Sequence, residues 1–387
     1  MKSTVARRME GFTPFYVMEL LQRAKQLEAQ GRDIIHMEIG EPGFPTPAAI
    51  VEQGIKYIQK GEVKYTAAAG LLELRLKISK FYLEKYKVKV AAERIFVTPG
   101  ASGAFLLALG VSLNPGEEVL MADPCYPCNQ NFVRLMEAKT KFINVDGKTD
   151  YQLSAQLIKD NWSHNSKGVL IASPSNPTGT LIAPTALEQI IKQINSLGGC
   201  FYSDEIYHGL VYGKEARSAL EFSDDVFVIN SFSKYFGMTG WRIGWLVVPE
   251  LYTNAVERLA QNIFISTSTH SQYAALAAFT EQNLLELEHR KDEFEKRRDF
   301  LYSHLIRLGF EIMVKPEGAF YIYANCSRYS EDSFQFAKDL LEQQGVAVTP
   351  GKDFGNNAEN CYIRFAYTAP IAKMSVAIER LEKFICQ

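Results

Sequence analysis

Residues 231 to 245 read SFSKYFGMTGWRIGW, and they place one lysine, Lys234, between a pair of serines and a run of glycines and aromatic residues. The stretch continues an apolar, β-branched run that predicts a strand, and Arg242 comes eight residues after the lysine. A lysine that reacts as an amine must be uncharged, and an enclosed site with a cationic neighbour lowers its pKa. A solvated lysine at the end of a strand would show the same local pattern, so the decision depends on the rest of the chain.

The composition is that of an ordinary globular protein, and it predicts neither a nucleic acid nor a membrane as partner. The 387 residues are 47% hydrophobic and 22% charged, with a formal net charge of −2. This length favours two domains, and a charge so close to zero gives no reason to expect an acidic polymer or surface as partner. The longest apolar run, residues 103–113, is too short to cross a bilayer and predicts a buried helix.

The cysteines and histidines favour a cytoplasmic protein without a metal site. The amino-terminal residues lack the apolar segment of a secretory signal, and the six cysteines are scattered, so we expect free thiols in a reducing cytoplasm. Cys125 and Cys128 form one CxxC pair without the second pair that a zinc site would need, and we interpret them as ordinary thiols. The six histidines show no ligand spacing either, so no metal is predicted.

Seven short apolar runs, most of them separated by helical patterns, predict a mostly parallel sheet. They are rich in β-branched and aromatic residues and end in Gly, Pro, Asp or Ser. The runs cover residues 94–100, 118–124, 140–146, 167–175, 200–207, 226–234 and 242–249. Strands that alternate with helices require crossover connections, which cover both faces of the sheet with helices. The predicted fold class is therefore α/β, with functional side chains at the carboxyl ends of the strands.

A heavily charged segment, residues 284–309, separates this region from an α+β pattern that includes an amphipathic helix at 332–344. In the segment, apolar residues recur every seven positions and opposite charges lie four positions apart, which predicts a long bridging helix or, as the alternative, a coiled coil. These residues are Leu287, Phe294, Leu301 and Leu308, with the pairs Glu286–Arg290 and Glu293–Arg297. The predicted domains are residues 1–45 as an arm and part of a small domain, 46–283 as a large domain, and 284–387 as the bridging helix and the small carboxyl-terminal domain.

Polar groups lie at the ends of several predicted strands. Besides the lysine stretch, they occur in TPGASGAF (98–105), SPSNPTGT (173–180) and SDEIYHG (203–209). Taken singly, these segments also fit a helix cap, a turn or a surface charge. Their order and spacing along one chain make such independent explanations very improbable.

Together the segments resemble the class I/II aminotransferase family of pyridoxal-phosphate (PLP) enzymes of fold type I, and the resemblance covers essentially the whole chain. The lysine stretch matches the family motif S-x-S-K followed by G-x-R-x-G. The resemblance implies a large domain that binds PLP and contains a seven-stranded, mostly parallel sheet. It also implies a smaller α+β domain built from both termini. It makes Lys234 the residue that carries the cofactor covalently. The cofactor phosphate would contact Ala101, Ser102, Ser231, Ser233 and Arg242.

The resemblance also assigns the groups around the cofactor ring and the substrate. Asp204 would face the pyridine nitrogen, and Tyr207 and Asn176 the phenolic oxygen, which makes Lys234, Tyr207 and Asp204 the catalytic set. Tyr126 would stack on the ring. The substrate would meet Gly40, Asn176 and Arg364, the last as a bidentate clamp on its α-carboxylate. Asn176–Pro177 and Asp123–Pro124 are expected to be cis peptides.

One implied contact crosses between subunits. Tyr65 resembles a tyrosine that the family sends into the active site of the partner subunit, where it touches the cofactor phosphate. The resemblance therefore implies a homodimer with shared active sites.

The implied reaction moves an amino group between an L-amino acid and a 2-oxo acid, such as 2-oxoglutarate or pyruvate, in a ping-pong sequence. Two alternatives stay open: a PLP-dependent C–S β-lyase of the cystathionine type, and a non-enzymatic effector-sensing domain. The sensor is less expected, because regulators of that kind carry a DNA-binding domain in front of the arm, whereas this chain begins directly with the arm. The donor is also open. Around Asn262 there is no second arginine for a dicarboxylate, and Phe12, Phe15 and Tyr16 would suit an apolar or aromatic side chain.

Overall fold

The computed structural model describes residues 5–12, 14–61 and 63–386, so residues 1–4 and residue 13 of the predicted arm lie outside the described residues. The strands in this part of the chain are β1 (Ile35–His36), β2 (Ile95–Thr98), β3 (Glu118–Asp123), β4 (Lys139–Asn144), β5 (Ser166–Ala172), β6 (Cys200–Asp204), β7 (Val226–Ser231), β8 (Gly244–Val247), β9 (Tyr321–Asn325), β10 (Val346–Ala347), β11 (Thr349–Pro350) and β12 (Tyr362–Ala366). The α-helices are α1 (Tyr16–Ala29), α2 (Ala48–Gln59), α3 (Leu72–Tyr86), α4 (Gly100–Ser112), α5 (Cys128–Leu135), α6 (Ala155–Asn161), α7 (Pro184–Ser196), α8 (Thr253–Ile263), α9 (Thr269–Ala275), α10 (Glu281–Arg307), α11 (Ser333–Gln344) and α12 (Ile371–Ile385).

Seven strands form the central sheet in the order β2-β8-β7-β6-β5-β3-β4. The strand β8 is antiparallel to both of its neighbours, and the remaining adjacent pairs are parallel. Each strand falls within or close to one of the seven apolar runs of the sequence. The prediction of an α/β fold with a seven-stranded, mostly parallel sheet is confirmed.

The sheet is covered on both faces, because successive side chains of its inner strands enter two different apolar cores. Val169 and Ile171 of β5 belong to one core and Leu170 to the other. Helix α7 shows how the sequence supplies such a cover: Pro184 begins it, and its apolar face is buried. Helix α4, which contains most of the longest apolar run of the sequence, is buried as predicted.

A smaller lobe contains the three-stranded antiparallel sheet β11-β12-β9 and the two-stranded parallel sheet β1-β10. The second sheet joins the two ends of the chain, because residues 35–36 pair with residues 346–347. Helix α10 confirms the predicted long helix, and its residues at the seven-residue spacing are buried. Both predicted ion pairs along it, Glu286–Arg290 and Glu293–Arg297, are present. We retain the domain borders near residues 45 and 283 as a proposal.

The central sheet brings the ends of β5, β6 and β7 side by side. Those ends lead to Asn176, Asp204 and Lys234, which were predicted from separate segments of the sequence. No helix in the described ranges is long and apolar enough to cross a membrane.

Candidate active site

A cavity of about 310 Å³ lies at the carboxyl ends of β5, β6 and β7. It brings together almost all of the residues that the sequence singled out as site residues: Gly40, Ala101, Ser102, Tyr126, Asn176, Asp204, Tyr207, Ser231, Ser233, Lys234, Arg242 and Arg364. Tyr65 is outside the cavity, and its side chain is 81% exposed on the surface of the chain. The peptides Asp123–Pro124 and Asn176–Pro177 are cis as predicted, and so is Ser173–Pro174.

The amine of Lys234 lies inside the cavity and donates a hydrogen bond of 2.6 Å to the backbone carbonyl of Gly40. Burial, together with the positive charges of Arg364 and Arg242, lowers the pKa of Lys234 to about 8. The carboxylates of Glu41 and Asp204 act in the opposite direction. An appreciable fraction of the amine is therefore uncharged near neutral pH, which a nucleophilic or basic lysine requires.

Asp204 is the last residue of β6 and is buried. Burial raises the pKa of Asp204 to about 7, against the opposing effects of the Ile206 amide and of Lys234. The Ile206 N–H donates to its Oδ1 at 3.3 Å. A carboxyl group of such high proton affinity is suited to share a proton with a basic ring nitrogen.

The guanidinium of Arg364, on β12, is held from several sides. Its Nη1 donates to Asn176 Oδ1 at 2.9 Å, and its Nη2 donates to Thr349 Oγ1 at 3.1 Å and to the carbonyl of Glu38. The rings of Tyr321 and Phe354 lie 4.2 Å and 4.9 Å from the guanidinium carbon. In the part of the chain that the structure describes, its buried Nε has no hydrogen-bond partner. An unpaired N–H on a fixed cation at a cavity wall is a place for a carboxylate.

Helix α4 opens at the same cavity with a turn that is too tight for a side chain. Gly100 has a φ of +67°, and a Cβ atom there would lie 2.8 Å from Nη2 of Arg242. The first-turn residues Ala101 and Ser102 and the hydroxyl-bearing Ser233 line the cavity beside this arginine. Free N–H groups of a helix start, hydroxyls and a guanidinium are the donors that a phosphate group prefers. The residues present therefore fit the phosphate of PLP.

Several cavity residues were not anticipated from the sequence. The hydroxyls of Tyr207 and Tyr321 are 2.8 Å apart, and a Cβ at Gly40 would lie only 2.1 Å from the hydroxyl oxygen of Tyr321. This close contact explains why residue 40 is a glycine, since a side chain there would collide with Tyr321. Asp353 and Phe354 also line the cavity. The sequence carries no local signal for these three residues, since they look like core or turn residues and reach the site only through the smaller lobe.

Comparisons with known proteins agree with this geometry. The model of the family "Aminotransferase class I and II" matches residues 32–381. A (5-formylfuran-3-yl)methyl phosphate transaminase of Methanocaldococcus jannaschii is 38% identical over 98% of this chain and 99% of the relative. A valine–pyruvate aminotransferase of Mycobacterium tuberculosis is 33% identical over 97% of each chain.

A solved aminotransferase structure from Mycobacterium tuberculosis superposes with a TM-score of 0.96 at 33% identity and covers 100% of both chains. These relatives are transaminases, which supports amino-group transfer over the lyase and sensor alternatives. The sequence match, the shared fold and the cavity lead to one conclusion: the chain belongs to the class I and II aminotransferases.

Proposed function

We propose that this aminotransferase binds PLP in the cavity and moves an amino group between an L-amino acid and a 2-oxo acid. PLP, when bound, supplies an electron sink for the bond that is broken at the substrate Cα. The observation that carries the proposal is the cavity itself, in which Lys234 and Asp204 have pKa values of about 8 and about 7 and Arg364 has an Nε without a hydrogen-bond partner among the described residues. Perturbed titratable groups that converge on one pocket are typical of a catalytic centre.

The proposed cofactor contacts follow from the chemistry of each wall of the cavity. Lys234 holds PLP covalently, Asp204 keeps a proton at the ring nitrogen, and Tyr126 packs on the ring face. Tyr207 and Asn176 donate hydrogen bonds to the phenolic oxygen. The phosphate group is bound by Ala101, Ser102, Ser231, Ser233 and Arg242.

The proposed substrate contacts use what remains of the cavity. Arg364 binds the α-carboxylate through its Nε, while Asn176 and the other partners keep the guanidinium in place. The backbone at Gly40 lies along the substrate, and its carbonyl holds the amine of Lys234 at 2.6 Å. Lys234 then acts as the base that moves the proton from the substrate Cα.

The proposal is tested by adding single amino acids to the purified, PLP-loaded protein without any 2-oxo acid. We expect the visible band of the covalently held cofactor to disappear once, in a stoichiometric amount, for a suitable donor. Adding 2-oxoglutarate or pyruvate should then restore the band, because the cofactor stores the amino group between two half-reactions. Sustained release of ammonia from cystathionine or cysteine, without a spectral change from any common amino acid, would favour the lyase instead.

We further propose a homodimer in the cytoplasm. Exposed apolar side chains lie on α2 and α3 and between them, around Tyr65: Ile55, Ile58, Val63, Leu72 and Leu76. Such a surface favours a subunit interface, and a two-fold dimer would direct each Tyr65 toward the neighbouring phosphate site. The six cysteines are free thiols, which is in keeping with a reducing compartment.

A further inference from the structure

The part of the cavity that is not used by the proposed cofactor contacts has an apolar wall. Helix α1 and the residue before it contribute Phe15, Val17 and Leu21. Three phenylalanines of other segments, Phe105, Phe132 and Phe354, line the same cavity. A substrate side chain that enters this space meets hydrocarbon, which favours apolar groups by the area that they remove from water.

The charges of the cavity point the same way. Among the described residues that line it, the positive ones are Lys234, Arg242 and Arg364, and the proposed function already employs each of them. Among the described residues, a second carboxylate of a substrate would therefore find no free cation in the cavity. It would meet Asp353, a residue that lines the same space and is only 7% exposed.

Asp353 is fixed in this position by the start of helix α1. Its Oδ1 accepts a hydrogen bond of 2.8 Å from the N–H of Tyr16, and its Oδ2 accepts one of 2.8 Å from the N–H of Val17. A helix start is otherwise a good site for an anion, because its N–H groups are free and carry partial positive charge. Here Asp353 already occupies that site, so the helix start cannot bind a second carboxylate.

One further arginine, Arg134 of α5, lies near the arm but is engaged outside the cavity. Its guanidinium donates to the backbone carbonyl of Gly11 and lies 5.8 Å from the ring of Phe12. It thus anchors the arm at a second point, away from Asp353. Arg134 therefore supplies a matched control for Asp353: both residues hold the arm, but only Asp353 lines the cavity.

On the basis of the proposed function, we propose that the amino donor has an uncharged, apolar side chain and that Asp353 excludes donors with a side-chain carboxylate. The exclusion arises because two carboxylates in one cavity repel each other, and the proposed function already engages the cations that the described residues place there. Donors with a side-chain ammonium are also disfavoured, since both oxygens of Asp353 already accept hydrogen bonds from the arm. Asp353 is a specificity-determining residue in this scheme.

The test measures the rate constant of the first half-reaction for leucine, methionine, phenylalanine, aspartate, glutamate and lysine with the PLP-loaded protein. We expect kcat/KM for the best apolar donor to exceed that for aspartate and glutamate by at least about a hundredfold. In Asp353→Asn this ratio should fall about tenfold or more, through faster reaction of the acidic donors. Aspartate, glutamate or lysine as the best donor of the unmodified protein would overturn the proposal.

A merely structural role of Asp353 is separated from a role in selection by the control Arg134→Gln. Loosening the arm at Arg134 should raise KM for all donors by a similar factor and leave the ratio of apolar to acidic donors unchanged. An Asp353→Asn protein that loses activity with all donors equally would contradict the proposal. Failure of every amino acid to change the spectrum would instead contradict the proposed function.

Binding of unreactive acids provides a readout that does not depend on turnover. Calorimetry with the PLP-loaded protein should detect 4-methylpentanoate at concentrations where glutarate, of similar length, does not bind. Asp353→Asn should gain affinity for glutarate. Equal affinity of the unmodified protein for the two acids would count against the inference.

Discussion

At the scale of single residues, one physical cause prepares two groups for opposite tasks. Burial disfavours the charged form of any group, so it lowers the pKa of Lys234 to about 8 and raises that of Asp204 to about 7. Both groups then exchange protons near neutral pH, which neither would do in water. Because both groups lie near strand ends and line the same cavity, the shifts in pKa that burial causes become useful for proton transfer at one site.

The lowered pKa of Lys234 predicts how the cofactor-free protein takes up PLP. Only the uncharged amine can form a bond with an aldehyde, so the rate of covalent capture should rise about tenfold per pH unit up to about pH 8 and then level off. Borohydride reduction followed by peptide mass mapping measures it. Lys234→Ala should abolish the label, whereas Lys60→Ala, on the exposed end of α2, should not. A reduced cofactor on any other lysine would refute the assignment.

The raised pKa of Asp204 predicts a gain in stability when the residue is replaced. Between the ordinary value of 3.8 and about 7, the unfolded chain loses this proton while the folded, cofactor-free protein keeps it. The folded state therefore becomes less stable by up to about 4 kcal/mol as the pH rises through this window, and the loss persists above it. Asp204→Asn cannot ionise, so in urea unfolding without PLP it should exceed the unmodified protein in stability at pH 8 by more than at pH 4. It should also be inactive. An equal difference at both pH values would contradict this explanation.

At the scale of elements, the start of α4 shows how backbone shape prepares a binding site. The positive φ of Gly100 and its close approach to Arg242 exclude any side chain there. The helix can then present its first N–H groups to an anion at the cavity wall. The start of α1 differs, because its first N–H groups already donate hydrogen bonds to Asp353 and are not available to a ligand.

Backbone strain and collision with Arg242 are two separate effects of a side chain at position 100, and they can be measured separately. Gly100→Ala should weaken binding of PLP and of inorganic phosphate at least about tenfold, because the new methyl group collides with the guanidinium of Arg242, in addition to about 1–2 kcal/mol of backbone strain. Gly116→Ala is the matched control: its φ is +86°, but a Cβ there has no atom within 4 Å. It should lose stability and keep its affinity for phosphate. Calorimetry measures the affinity for phosphate, and urea unfolding measures the stability. Equal losses of affinity in both variants would contradict a phosphate site at the start of α4.

The elements also explain which parts of the molecule were predictable from the sequence. Strands such as β7 and helices such as α10 follow from local patterns, because burial of one face or of a whole strand is written into neighbouring residues. The site residues Lys234 and Arg364 were identified through family motifs. Tyr321 and Asp353 were not, since their roles depend on contacts with residues far away in the chain. No periodicity encodes such contacts.

At the scale of the whole molecule, the proposed active site is assembled from both lobes. The larger lobe supplies the strand ends and the helix start, and the smaller lobe supplies Arg364, Tyr321 and Asp353. The proposed dimer adds Tyr65 from a second chain. The proposed catalytic centre thus depends on residues from both lobes and from a second chain.

The proposed sharing of active sites between subunits predicts complementation between two defective variants. When Lys234→Ala and Tyr65→Ala chains are refolded together, the hybrid dimer contains one site with an intact lysine and an intact tyrosine from its partner. Activity should therefore rise above that of either variant alone. Lys234→Ala refolded with Asp204→Asn is the control, because each site of that hybrid keeps one lesion, and activity should not recover. No gain in the first mixture would place Tyr65 in its own chain's site or outside catalysis.

The pairing of β1 with β10 has a consequence for how the protein is made. Strand β1 must wait for a partner that lies about 310 residues later in the chain. At 5–20 residues per second, the ribosome needs roughly 15 s to 1 min to deliver it. During this interval the apolar face of α1, with Leu20 and Leu27, has no α11 or β11 to cover it. Helix α1 thus stays uncovered until α11 has been synthesised, and in this interval it offers a nascent-chain chaperone a hydrophobic surface to bind.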